Sequence, residues 1–165
     1  ALSVAASETF TSTSAPIQYA AVTAFEPHPE MDFYLERARK ILLHLGQYCN
    51  RILNEAGINN AAPHGGFYLF PDFSNFRNKF LQHDIFDSET MCDKLLESAG
   101  VATLPGSEFG CPPSVYTLRI SYVNFDGRKA IDAAVTETVD DLFIEKYCPD
   151  TLTAMREIVK WVTAL

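Results

Sequence analysis

The sequence predicts an α/β domain: a small sheet of about three strands with helices packed on it, including one long helix near the N-terminus. Three observations predict this class. Apolar residues recur every three or four positions from about residue 30 to 56, which is the period of an amphipathic helix. Aromatic residues crowd the segment 66–73, as in a buried strand. Apolar and polar residues alternate over 117–123, which is the period of a strand with two different faces.

A short helix is predicted over 15–25, ahead of the long one. Ser14 is its expected N-cap, and Pro16 falls in its first turn, where proline is tolerated. The sequence Glu-Pro-His-Pro at 26–29 then interrupts the helix, because proline disfavours helix at its own position and at the position before it. The long helix follows and is expected to end at Gly57, since glycine is a common residue just beyond a helix C-terminus.

The three strands are predicted at 66–73, 101–104 and 117–123. Pro71 marks the end or the edge of the first strand, because proline cannot donate to the hydrogen-bond ladder. Period-2 alternation in the third strand divides its residues between two faces. Leu118, Ile120 and Tyr122 share one face, and Thr117, Arg119 and Ser121 share the other.

Further helices are predicted between and after the strands. One covers 89–98, with Ser88 as its N-cap and Gly100 just past its end. After the third strand, Asp126 is expected to cap a helix that runs from Arg128 to about Tyr147. A last helix is expected to follow and to complete the layer packed on the sheet.

Composition and charge exclude several classes of partner. The formal net charge is −8, and the 13 basic residues are scattered, which argues against nucleic acid and anionic membrane surfaces as main partners.

None of the four cysteines forms a Cys-x-x-Cys pair or sits beside histidine at metal-ligand spacing. There is no Asn-x-Ser/Thr sequon and no apolar run of membrane-spanning length. We therefore expect reduced thiols, no metal site and a cytoplasmic location.

Arg119 is the candidate binding residue. The sequence contains no Walker phosphate loop, Gly-x-Gly-x-x-Gly, His-Glu-x-x-His or Gly-x-Ser-x-Gly motif. An arginine in the middle of a strand is costly unless its guanidinium meets an anion, and its planar fork suits a carboxylate. The alternative is that this strand face is solvated and that Arg119 pairs with a surface acid. The residue pattern alone slightly favours this alternative, because structural ion pairs are far commoner than substrate-binding arginines.

Three segments, in this order and spacing, resemble the C-terminal part of class I/II pyridoxal-phosphate-dependent aminotransferases. They are Gly-Gly-Phe-Tyr-Leu-Phe at 65–70, Ala-Gly-Val-Ala-Thr-Leu-Pro-Gly-Ser-Glu-Phe-Gly at 99–110, and Leu-Arg-Ile-Ser at 118–121. The Ser/Thr-rich stretch 11–14 with Ala-Pro-Ile-Gln-Tyr-Ala at 15–20 is similar to the loop and helix that precede the long interdomain helix of this family. The resemblance covers nearly the whole chain.

The resemblance implies roles for four residues. The fold would be the small domain of a fold-type I enzyme. Arg119 matches the arginine that binds the α-carboxylate of the substrate. Phe67 falls where the family places a side chain against the substrate pocket. Ser12 and Thr13 lie near a loop that, in the dimer, approaches the cofactor phosphate or the neighbouring subunit's site, and so are the cofactor-binding candidates.

The resemblance also implies a domain division and partners. Residues 1–26 would be the end of a large-domain segment with its loop, and 27–165 the small domain. The full-length enzyme would be a homodimer that transfers an amino group between an amino acid and a 2-oxo acid. Its cofactor would be pyridoxal 5′-phosphate, which is not expected to bind to this chain alone.

This sequence has no match to the lysine that, in the family, holds the cofactor as a Schiff base. The family places it in the large domain, in a Ser-x-x-Lys or Ser-Lys context, and none of the six lysines here has that context. We therefore expect a C-terminal fragment that is inactive as an isolated chain, and the start at Ala1 without methionine agrees with this expectation. Two alternatives stay open: a fragment of a pyridoxal-phosphate lyase or synthase with the same fold, and a non-catalytic domain that keeps only the scaffold.

Overall fold

The computed structural model describes residues 2–9 and 13–165. The chain forms two compact units, Ala1–Leu35 and Glu36–Leu165. The helices are α1 (Leu2–Thr9), α2 (Ala15–Phe25), α3 (Pro29–Glu55), α4 (Arg77–Gln82), α5 (Ser88–Ala99), α6 (Gly127–Ala133), α7 (Asp141–Tyr147) and α8 (Pro149–Ala164). The strands are β1 (Tyr68–Leu69), β2 (Leu104–Pro105) and β3 (Leu118–Ser121), and 3-10 turns occupy Ser74–Phe76 and Gly106–Phe109.

The first unit holds α1 and α2, neither of which buries a described residue. Ser14 stands at the N-cap of α2, as predicted, but its side chain makes no capping hydrogen bond. Its backbone carbonyl instead accepts from the N–H groups of Ile17 and Gln18, at 3.0 and 3.1 Å. The start of α2 therefore depends on backbone geometry and on Pro16 in the first turn.

The sheet has three antiparallel strands in the order β1-β3-β2, so the predicted fold class is confirmed. Tyr68 lies opposite Ser121 in the β1–β3 pair, and Leu104 lies opposite Arg119 in the β2–β3 pair. The strands are shorter than the sequence predicts. In the first, Pro71 has no N–H to donate, and the sheet contacts of Asp72 beyond it are isolated bridges to Asn59 and Thr117.

The core lies between the sheet and the helices packed on it. The predicted inner face of the third strand is confirmed, since Leu118, Ile120 and Tyr122 are buried. Helix α3 contributes one apolar stripe to this core, and burial of each large aliphatic side chain contributes about 1.5–3 kcal/mol. That stripe consists of Ile41, Leu45, Cys49 and Leu53.

The prediction of one helix from Arg128 to Tyr147 is wrong. Helix α6 ends at Ala133, and α7 begins at Asp141. The side chain of Asp140 accepts from the N–H of Phe143 at 2.9 Å, which starts a new helix rather than continuing the old one. Val135, which lies in the stretch between the two helices, is exposed. The intervening stretch is rich in valine and threonine, which are β-branched residues of lower helix propensity.

The N-cap of α5 is Asp87 and not Ser88. The Asp87 backbone is extended (φ −151°, ψ 176°), and its carboxylate accepts from the N–H of Thr90 at 2.7 Å. Ser88 is the first helical residue; it is buried, and its hydroxyl has no hydrogen-bond partner among the described residues. Both residue types favour an N-cap, so only the backbone conformation decides between them. Gly100 ends the helix with φ 68°, as predicted.

The Asp87→Ala variant is expected to lower the free energy of unfolding by about 1 kcal/mol at neutral pH. The hydrogen bond from the Thr90 N–H lowers the pKa of Asp87. The stabilisation is therefore complete above the unfolded-state pKa and is lost as the pH falls through the lower folded-state pKa. Urea unfolding of both proteins over a series from neutral to acidic pH measures this convergence. Ser88→Ala is the matched control, and an equal loss in that variant would assign the cap to Ser88.

No helix in the described part of the chain combines the length and the apolar character that crossing a membrane requires.

Candidate functional site

Arg119 occupies the centre of β3, the middle strand of the sheet. It lies opposite Leu104 of β2, and its strand neighbours Leu118 and Ile120 point into the core. Alternation along the strand therefore places the Arg119 side chain on the opposite face. Arg119 is partly buried there, so its charge is not fully surrounded by solvent.

Two aromatic rings flank the guanidinium of Arg119. Its Cζ atom lies over the Tyr68 ring and over the Phe109 ring, at 4.5 Å from each ring centroid. Both distances are well inside the range of about 6 Å for a cation–π interaction. Tyr68 comes from β1, and Phe109 ends the 3-10 turn that follows β2. Residues beside both neighbouring strands thus converge on one side chain of the central strand.

No described acid neutralises Arg119. Within residues 2–9 and 13–165, no carboxylate lies within 4.0 Å of its guanidinium, and no protein atom accepts a hydrogen bond from it. By contrast, Arg51 reaches Asp141 at 2.6 Å. The alternative was that Arg119 pairs with a surface acid. No acid in the described part of the chain lies close enough to form that pair. A partly buried fork of five N–H donors with no acceptor can bind an anion without first breaking a protein contact.

Two acids near Arg119 in sequence serve other purposes or face solvent. Asp126 caps α6 by accepting from the N–H of Lys129 at 3.1 Å, as the sequence predicts. Glu108 lies in the 3-10 turn and is exposed. Neither acid is an ion-pair partner of Arg119.

Phe67 lies one ring away from the guanidinium. Its ring centroid is 4.4 Å from that of Tyr68, and its carbonyl accepts from the N–H of Tyr122 at 3.2 Å. About two fifths of its surface is exposed. Phe67 therefore contacts the surroundings of Arg119 through Tyr68, and its role against a substrate stays a prediction.

The two cofactor candidates belong to the N-terminal region. Ser12 lies outside the described residues. Thr13 is exposed in the first unit, and its carbonyl accepts from the side-chain amide of Gln18 at 2.7 Å. Their proposed contact with a cofactor phosphate stays a prediction.

Sequence reasoning missed Tyr68 and Phe109 as neighbours of Arg119. Tyr68 had a usable signal: period-2 alternation from the buried Leu69 places it on the outer face of the sheet. Phe109 had none, because it lies in a turn whose direction no local periodicity fixes. Both residues belong to the segments that carry the family resemblance, but a resemblance does not state which side chains touch.

A cleft of about 260 Å³ lies between α3 and the loop before β1. Its walls are formed by Arg39, Leu42 and Leu43 of α3, the loop 63–66, and Tyr122. The hydroxyl of Tyr122 donates to the carbonyl of Gly66 at 3.0 Å. A Cβ atom at Gly46 would lie 2.9 Å from both Pro63 and the Tyr122 hydroxyl, so glycine is required for this close approach. His64 also borders this cleft.

The lysines do not fit the role of a cofactor-bonding residue. Such a lysine must lose its proton within a site, yet four of the six form ion pairs on the surface. These pairs are Lys40–Glu36, Lys94–Glu97, Lys146–Glu137 and Lys160–Glu157. Lys79 donates to the carbonyl of Thr163, and Lys129 is exposed. For Lys146, hydrogen bonds with Tyr147 and Glu137 raise the pKa, which opposes deprotonation.

The described residues also contain no group of three or more potential metal ligands.

Of the four thiols, Cys111 is expected to react first with iodoacetamide in the native protein. It is partly exposed, whereas Cys49, Cys92 and Cys148 are buried. Burial raises the pKa of Cys49 and of Cys148 to about 12, so almost none of the reactive thiolate is present near pH 8. Mass spectrometry of the peptides after brief alkylation measures the order. Labelling of Cys49 at the rate of Cys111 would contradict the buried arrangement.

The chain resembles known proteins along most of its length. Residues 3–134 match the family described as aminotransferase class I and II. A probable aspartate/prephenate aminotransferase of Aquifex aeolicus is 36% identical over 105 residues, which are 64% of this chain and 25% of that protein. The mitochondrial alanine aminotransferase of Saccharomyces cerevisiae is 39% identical over 71 residues, 41% of this chain and 12% of that protein. The chain thus spans a quarter or less of the length of these relatives.

Solved structures show the same fold. An aromatic aminotransferase from Pyrococcus horikoshii superposes with a TM-score of 0.65 at 23% identity, over 96% of this chain and 34% of that chain. An aminotransferase from Mycobacterium tuberculosis superposes with a TM-score of 0.59 at 26% identity, over 96% of this chain and 33% of that one.

Proposed function

We propose that this chain, which belongs to the aminotransferase class I and II family, binds the α-carboxylate of an amino-acid or 2-oxo-acid substrate through Arg119. The observation that carries the proposal is the state of the guanidinium. It is partly buried between two rings, and no described protein group accepts its hydrogen bonds. A carboxylate offers two oxygens in the geometry of the guanidinium fork, and such charge-assisted pairs are among the strongest hydrogen bonds in proteins.

The chemical contribution of Arg119 is positioning. Two parallel hydrogen bonds to one carboxylate fix both the place and the orientation of the adjacent carbon, which a single contact cannot do. The Tyr68 and Phe109 rings displace water from two sides, and lower local polarity strengthens the remaining ion pair. The Arg119 guanidinium with the Tyr68 and Phe109 rings, which we call the clamp, therefore selects for an acid. It presents the α-carbon of that acid in a defined direction.

Pyridoxal phosphate, which the family implies for the full-length enzyme, would supply the electron sink for chemistry at that carbon. The lysines of this chain do not fit the bond to that cofactor, so we assign no step of its chemistry to these residues. We propose that a large domain outside this chain holds the cofactor, and that the complete enzyme is a cytoplasmic homodimer in which Phe67, Ser12 and Thr13 have the roles that the resemblance implies.

A titration of the ¹⁵N-labelled chain with pyruvate tests the clamp. We expect saturable shifts of the backbone signals of Arg119, Tyr68 and Phe109, because these residues surround the binding position. Pyruvamide has almost the same shape but lacks the charge, and is expected to give no saturable shift. Equal responses to the two compounds, or no response to pyruvate, would refute carboxylate binding by this chain.

The isolated chain is expected to show no transaminase activity when pyridoxal phosphate, an amino acid and a 2-oxo acid are added. The physical reason is that each lysine is ion-paired, bound to a backbone carbonyl or exposed. Borohydride reduction followed by peptide mapping provides the second measurement. Stoichiometric modification of one particular lysine, accompanied by turnover, would show that this chain carries the missing group.

A further inference from the structure

We propose that Tyr68 and Phe109 are positioning residues that hold the Arg119 guanidinium in its carboxylate-binding orientation. This inference rests on the proposed function, but it concerns different residues and has a readout of its own. The two rings would touch the guanidinium rather than the reacting carbon, and would act on the substrate through Arg119.

The two rings restrict the guanidinium from one neighbouring strand, β1, and from the turn that follows the other, β2. The Arg119 Cζ lies 4.5 Å from the Tyr68 centroid and 4.5 Å from the Phe109 centroid. Because both rings lie close to the guanidinium, a carboxylate can approach it only from the directions that the rings leave open. A long arginine side chain that moves freely in solution loses this freedom when it binds. A guanidinium already held between rings loses less, so its affinity for a carboxylate is higher.

A second pair of rings supports the first. The Phe67 ring lies 4.4 Å from Tyr68 at an interplanar angle of 42°. The Phe70 ring meets Phe109 edge-on, at 5.9 Å and 88°. Edge-on and tilted contacts of this kind are favourable arrangements of aromatic rings. The four rings and the guanidinium therefore form one continuous series, Phe67–Tyr68–Arg119–Phe109–Phe70, in which each inner ring also packs against an outer ring.

The rings of this series are only partly buried. Tyr68 and Phe109 are each 43% exposed, and Phe67 and Phe70 are each 40% exposed. Their exposure leaves room for a ligand to approach the N–H donors of Arg119, which have no described protein acceptor.

The experiment combines pyruvate titration with the Nε–H signal of Arg119 in the ¹⁵N-labelled chain. Tyr68→Leu and Phe109→Leu remove one ring each and are expected to weaken pyruvate binding about three- to tenfold. In each variant the Nε–H signal is expected to lose the part of its ring-current shift that the removed ring supplies, and to report faster side-chain motion. Tyr68→Phe and Phe109→Tyr keep the rings and are expected to match the wild type in both measurements.

Phe86→Leu is the matched control, because Phe86 is exposed and belongs to none of these ring contacts. It should change neither readout. If a leucine variant does not fold, the methionine variant at the same position also lacks the ring and has a flexible side chain that fills irregular space.

The outcomes separate this inference from the proposed function. Wild-type binding with unchanged affinity and unchanged Nε–H dynamics in both leucine variants would overturn the positioning role and leave the clamp intact. No pyruvate binding by the wild type would refute the clamp. In that case the Nε–H signal still decides, because greater mobility in the leucine variants supports ring-held orientation and equal mobility overturns it.

Discussion

Arg119→Lys is expected to weaken pyruvate binding at least tenfold and to change stability little. Lysine keeps the positive charge, so steering of the anion survives, but the two parallel hydrogen bonds of the planar fork are lost. A hydrogen bond to a charged group contributes about 1.5–3 kcal/mol, and a loss of 1.4 kcal/mol corresponds to about tenfold in affinity. The titration of the labelled chain measures the change directly.

The free energy of unfolding should change little in Arg119→Lys, because no described protein group accepts a hydrogen bond from Arg119. The substitution leaves no carboxylate unpaired, and what changes is the contact of the cation with the Tyr68 and Phe109 rings. That contact contributes about 0.5–1 kcal/mol at an exposed site. Arg128→Lys is the matched control, since Arg128 is exposed on α6. Equal affinities of wild type and Arg119→Lys would show that charge alone binds the acid, and would remove the argument for a bidentate clamp.

Gly106→Ala is expected to destabilise the protein by about 3 kcal/mol, the upper range for overpacking a core position. Gly106 is buried, and its N–H donates to the carbonyl of Thr117 at 2.8 Å. A Cβ atom there would collide with the Thr117 hydroxyl oxygen and would lie 3.0 Å from the Thr117 Cβ and 3.2 Å from its carbonyl oxygen. Two of these three atoms cannot move without displacing the Thr117 backbone, which leads directly into β3. Chemical denaturation measures the loss.

A double-mutant cycle tests the cause. Thr117→Ala removes the colliding hydroxyl, which is buried and has no hydrogen-bond partner among the described residues, so the single change is expected to be mild. In the double variant part of the loss should be recovered, and the coupling should exceed about 0.5 kcal/mol. Gly127→Ala is the control, because nothing lies within 4 Å of the place that its Cβ would occupy. Simple additivity in the cycle would show that the hydroxyl is not the obstacle.

Gly106→Ala is also expected to affect the surroundings of Arg119. Gly106 opens the 3-10 turn that ends at Phe109. A shift of this turn away from Thr117 would carry the Phe109 ring away from the guanidinium. Gly106→Ala protein that still folds is therefore expected to bind pyruvate more weakly than the wild type.

Much of the fold could be predicted because its signals are local. The period of the long helix follows from its own residues, and α3 covers Pro29–Glu55, close to the expected 30–56. The inner face of the third strand follows from alternation alone. The predictions that were wrong concern choices between similar local signals. Asp87 and Ser88 are adjacent residues that both favour an N-cap, and the helix predicted to Tyr147 was interrupted by a new cap at Asp140.

By itself, the sequence determined the fold class, the family resemblance, the strand that carries Arg119 and the absence of a lysine in the expected context. Only the tertiary structure decided what surrounds Arg119: the Tyr68 and Phe109 rings at equal distance, and no described acid. The physical reason is that periodicity specifies the face on which a side chain lies. The side chain it meets there depends on the register between strands and on the direction of a turn, and both are set by contacts between residues distant in sequence.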